Sequence, residues 1–142
     1  MNNITVLKQA KAMKTEEKIV KALEAAVNHL KNAMNALNVE DEKSFDGATW
    51  HAAAELEYAL FLFSIVLKDA GQTQKLKLNP ESKGVNLGAI LVQTQDFLSK
   101  AEMCMTDKNM LEAYKNAYVA RHHLLKVQEE LAKRKRMASK TK

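Results

Sequence analysis

A chain of 142 residues is long enough for one domain whose apolar core needs no disulfide or metal to hold it together. With only 4 glycines and 1 proline, and no runs of alternating apolar and polar residues, it cannot supply the turns of a β-sandwich or barrel. The net charge of +5 is local: Lys133, Arg134, Lys135, Arg136, Lys140 and Lys142 fall in the last ten residues with no acid among them, so the rest of the chain sums to about −1.

Residues 1–14 read as an N-terminal arm or an extension of the first helix, with Ile4, Val6, Leu7 and Met13 as their apolar content. Thr15 is the expected N-cap, with Glu16 and Glu17 placed favourably against the helix dipole. Val20, Leu23, Val27, Leu30, Met34 and Leu37 then step by three and four, which predicts an apolar helical seam ending near Asn38. Residues 39–46 are acidic and connect to a second helix, capped by Ser44 or Asp46 and stopping at Gly71. Its expected seam is Trp50, Ala53, Leu60 and Phe63 or Ile65. Residues 56–67 are apolar on nearly every side, which predicts either a central helix or a homodimer contact through this helix.

Residues 72–85 form the longest predicted connection. A third helix follows from about Asn86 to Met105 through Leu87, Ile90, Leu91, Phe97, Leu98 and Ala101. Asn109 and Glu112 resemble a capping box and open a fourth helix carrying Met110, Tyr114, Ala117, Leu124 and Leu131. The expected fold is all-α, an up-and-down four-helix bundle over residues 15–132, with a basic C-terminal tail over 133–142 that frays beyond Leu131. Two helical hairpins related by pseudo-symmetry are also predicted. A shift of 64 carries Glu57 onto Arg121 and Leu60 onto Leu124, and a shift of 68 carries Leu30 onto Leu98.

Several chemistries are not supported by the residues. No position three before a histidine is a glutamate, as a di-iron bundle requires, and the adjacent His122 and His123 point about 100° apart on a helix. His51 and Glu55, one turn apart, are too few to hold an ion, so no metal or cofactor is expected. Cys104 is the only cysteine, which suits a reducing compartment, and it reads as an inert core thiol. Lys83 and Gly84 before the third helix are a weak anion-site signal. No apolar leader opens the chain, and residues 56–67 are short for a bilayer, so a cytoplasmic protein without membrane contact is expected.

Two sets of residues remain as candidate sites. Glu57 and Arg121 interrupt apolar seams, and are expected to meet as a buried ion pair or line a pocket with nearby tyrosines. The basic residues 133–136, 140 and 142 are expected to contact nucleic acid or an acidic partner by charge alone. The sequence therefore predicts a non-enzymatic interaction module working through its basic tail. The alternative is a helical-bundle enzyme or small-ligand binder with a polar site at Glu57 and Arg121.

Overall fold

The structure is a computed structural model that describes the backbone of residues 3–69 and 86–140, and the side chains of 14–68 and 86–139. Four helices form a bundle: α1 (Asn3–Asn38), α2 (Glu42–Asp69), α3 (Leu87–Thr106) and α4 (Met110–Lys140). α1 packs on α2 and α3 on α4, as hairpins. The hairpins join through α1 against α3 and α2 against α4, while the diagonal pairs α1/α4 and α2/α3 do not touch among the described residues.

The two hairpins close with the same backbone turn. In the first, Glu40 N–H donates to the Leu37 carbonyl (3.2 Å) and Asp41 N–H to the Ala36 carbonyl (2.9 Å). In the second, Lys108 N–H donates to Met105 (3.1 Å) and Asn109 N–H to Cys104 (2.8 Å), every donor and acceptor 68 residues further on. Glu40 and Lys108 both take the left-handed conformation, with φ 57° and 59°. This is the Schellman end of a helix, and the residue that completes it also caps the next helix. Asp41 accepts from Ser44 N–H at 3.1 Å, and Asn109 from Glu112 N–H at 3.4 Å. Asp41, rather than Ser44 or Asp46, therefore opens α2. Its bonds from the Ser44 hydroxyl and N–H, with Lys43 nearby, hold its carboxyl below the usual carboxylate range.

The spacing of 68 extends through the core. Leu23, Leu30 and Ala33 of α1 correspond to Leu91, Leu98 and Ala101 of α3. Phe45, Thr49, Ala52, Leu56, Ala59 and Phe63 of α2 correspond to Ala113, Ala117, Ala120, Leu124, Val127 and Leu131 of α4, and every one of these is buried. A single shift of 68 thus replaces the 64 expected for the second pair of helices, because the shared turn fixes one register for both elements of a hairpin. Four leucines occupy the middle: Leu30, Leu56, Leu98 and Leu124, none more than 1% exposed.

The direction of the second hairpin departs from the simple up-and-down circuit. Gly88 at the start of α3 lies against Leu37 at the end of α1. α2 therefore ends at one end of the bundle and α3 begins at the other. Every touching pair is antiparallel and the diagonal pairs are parallel. A three-residue turn forces its two helices side by side, whereas the longer connection between the hairpins carries no such constraint. Residues 70–85, with the expected stop at Gly71 and the Lys83–Gly84 signal, lie outside the described residues.

Other boundaries differ from expectation for local reasons. α1 begins at Asn3, so Thr15 lies within the helix rather than at its cap. Trp50 is 63% exposed and outside the α2 seam. The buried phase instead runs through Thr49, whose hydroxyl satisfies itself on the Phe45 carbonyl at 2.8 Å. Thr94 of α3 is buried likewise, donating to Ile90 at 2.7 Å. A threonine whose hydroxyl bonds back to the preceding turn carries only apolar surface into the core.

Leu30→Ala should destabilise the bundle by about 2–5 kcal/mol through lost burial plus the cavity left behind. Val39→Ala, at an exposed position in the turn, should change stability by less than about 0.5 kcal/mol. Urea denaturation of the two variants measures the difference.

Candidate functional site

Glu57 on α2 and Arg121 on α4 meet across the hairpin interface, with Arg121 Nε donating to Glu57 Oε1. The pair is not buried: the Arg121 side chain is 35% exposed and that of Glu57 52%. Glu57 lies on the outward side of α2, one step from the seam, and an apolar neighbourhood in sequence did not imply an apolar neighbourhood in space. The pair closes one side of a shallow hollow of about 220 Å³ with Leu60, Phe61, Tyr114 and Tyr118. Tyr114 packs edge-on to Phe63 at 5.9 Å and lies 6.0 Å from Tyr118. Burial pushes the Tyr114 hydroxyl above its ordinary range, Tyr118 adds to this, and Arg121 opposes it. The hollow thus offers a neutral phenol and an internally compensated ion pair.

The basic segment is helical. α4 continues to Lys140 instead of fraying after Leu131. Arg134 Nε donates to Glu130 at 3.2 Å, one turn back, and Lys135 Nζ donates to Asp46 Oδ2 at 2.6 Å near the start of α2. Arg134 also borders a hollow of about 460 Å³ with Glu40, Asp41 and Glu42. Asp46 at the start of α2 and Glu130 on α4 thus supply counter-charge to the segment, together with the favourable end of the helix dipole. Lys133 and Arg136 are exposed on the other side of the helix, three residues apart and on one face. The same register continues to Lys140, whose side chain, like Lys142, lies outside the described residues.

The histidines sit elsewhere. His29 and His51 stack across α1 and α2 at 5.2 Å. His123 stacks on Phe97 of α3 at 5.5 Å. Burial lowers the His123 pKa from its ordinary 6.5, and His122 adds to the effect. Among the described residues no three His, Cys, Asp or Glu side chains come together in a way that could hold a metal ion. Cys104 is partly buried and packs against the core from α3.

The sequence marked α2 as carrying more apolar surface than one seam can bury, but placed Trp50 in the seam, whereas it lies on the helix's outer face. Trp50, Tyr58, Phe61 and Ile65 are all exposed there, Trp50 at 63% and Phe61 at 60%. They recur at helical spacing, and the signal was available: a helix apolar all round must expose part of itself when only two neighbours cover it. Glu42–Lys68 is also the one span among the described residues long and apolar enough to cross a membrane, by length and composition alone. Compared with protein-family models, curated proteins and solved structures, the chain matches none.

Two outcomes are expected. Glu57→Gln and Arg121→Gln should each lower stability by no more than about 1 kcal/mol, because a half-exposed pair is screened by solvent; thermal unfolding at low and high salt checks this. His123, held neutral in the folded state below its ordinary pKa, takes up a proton more readily when unfolded. Its contribution is complete above about pH 6.5 and is lost as pH falls through the lowered folded value. His123→Phe should flatten that part of a stability–pH curve measured in urea.

Proposed function

We propose that the protein is a non-enzymatic helical-bundle interaction module that contacts a polyanion, nucleic acid or an acidic protein surface, through the basic end of α4. The observation that carries this reading is the division of the basic residues. Arg134 is held by Glu130 one turn back on α4, and Lys135 by Asp46 of α2, which ties the segment to the bundle. Lys133 and Arg136 point away from those acids, and the helix repeats their face toward position 140. Lys133 and Arg136 share one helical face about 4.5 Å apart along the axis at 1.5 Å per residue, enough for about two phosphates. No aromatic residue lies among them to stack a base, so contact is with the backbone charge of a nucleic acid and not its sequence.

A second reading, an enzyme or small-ligand site at Glu57 and Arg121, has the hollow beside Tyr114 and Tyr118 in its favour. Its volume of about 220 Å³ falls below the roughly 300–1,000 Å³ of most ligand pockets. The two charges there also neutralise one another.

Binding of a duplex of arbitrary sequence, followed by fluorescence anisotropy, tests the first reading. With about two phosphate contacts the slope of log affinity against log salt should be about −1.8. Lys133→Ala with Arg136→Ala should weaken binding while leaving the melting temperature unchanged. Equal binding by the double variant would remove the assignment.

A further inference from the structure

From the outer face of α2 we infer that a second copy of this chain docks there, helix against helix and antiparallel, about a twofold axis passing between residues 57 and 58. The second hairpin shows what these positions look like when they face water. At the spacing of 68, Phe61 corresponds to Glu129 and Ile65 to Lys133, both exposed and charged. The bundle therefore does not require apolar residues at those outward positions, and in α2 they serve contact outside the chain.

The face is self-complementary. Trp50, Ala54, Phe61 and Ile65 lie within about 60° of one another around the helix and span about 22 Å along it. In an antiparallel pairing centred between 57 and 58, Trp50 lies opposite the partner subunit's Ile65, and Phe61 opposite the partner subunit's Ala54. A large side chain thus meets a small one at the point of closest approach. Groups near a twofold axis meet their own copies, so a lone carboxylate there would repel itself. Glu57 carries its counter-ion, Arg121, from within its own subunit. Tyr58, opposite the partner subunit's Glu57 in this register, places a phenol against a carboxylate.

The area fits the same occupant. With 150–250 Å² to an aromatic ring, Trp50, Tyr58, Phe61, Ile65 and the neighbouring Leu125 leave on the order of 500 Å² of apolar surface open. That is at the upper end of what a monomer leaves exposed, about 300–600 Å². It also matches the apolar share of the roughly 800 Å² that each partner contributes to a standard interface. An anionic membrane surface fits less well, since its ligands carry Lys and Arg on the polar flank, and here the central charges cancel.

Sedimentation equilibrium of the full chain at about 100 µM should return twice the 15.9 kDa chain mass. Phe61→Glu with Ile65→Lys transfers the second hairpin's residues to the first. It should keep the helical circular dichroism and weaken the dimer at least about 30-fold, the size of an interface hot spot. Ala54→Cys with Phe61→Cys, in a Cys104→Ser background, should form disulfide-linked dimers on mild oxidation. A monomer at 100 µM overturns the inference, as does a dimer that the double substitution leaves unchanged, a dimer without the 54–61 cross-link, or a monomer that floats with phosphatidylserine vesicles.

Discussion

Glu40 and Lys108 hold the backbone in the left-handed region that L residues other than glycine rarely occupy. What the chain gains there sets the rest of the bundle. The left-handed residue lets two backbone N–H groups return to the carbonyls of the helix just ended, and the following residue, Asp41 or Asn109, is delivered where it caps the next helix. The turn therefore satisfies both helix ends within three residues. It also fixes how far each partner helix is advanced along the other. Because the same turn is used twice, the same positions face inward twice, and Leu30, Leu56, Leu98 and Leu124 come to share the centre.

A core closed in this way leaves function to the exterior. The inward positions of the two hairpins match, but their outward positions have diverged. On α2 they are aromatic and aliphatic; on α4 they turn acidic and then basic toward the C-terminus. The basic end of α4 meets the acidic start of α2, so Lys135 finds Asp46 across 89 residues of sequence. One hairpin thus presents an apolar face and the other a basic one on a common scaffold. The Glu57–Arg121 pair lies between these regions and costs little to keep, because both groups retain much of their contact with water.

The seams of α1, α3 and α4 were legible from residues at three- and four-residue spacing, since each has one apolar side and one polar side. α2 was not. With residues 56–67 apolar nearly all round, spacing carries almost no phase, and the start of the helix decides which side turns inward. That start depends on Asp41 acting as a cap, one acid among several neighbours. The buried Thr49 further disguised the true seam. The meeting of Glu57 with Arg121 was legible, but its exposure was not, because a one-dimensional seam does not distinguish a core position from the margin of an interface. The helical basic segment was hidden for a different reason: like charges in sequence predict repulsion, and the counter-charge that ties Lys135 down lies on another helix. The twofold repetition was visible in outline, and its single spacing of 68 became evident only from the backbone bonds of the turns.

The central claim is that the two hairpins share one core and are not two units resting on one another. Native-state hydrogen exchange tests it directly, since amides that open only with the whole protein report a common free energy. The slowest amides around Leu30, Leu56, Leu98 and Leu124 should exchange at one shared free energy with one shared denaturant dependence. Two separate levels, one for α1 with α2 and a lower one for α3 with α4, would contradict a single core built by repetition of the same turn.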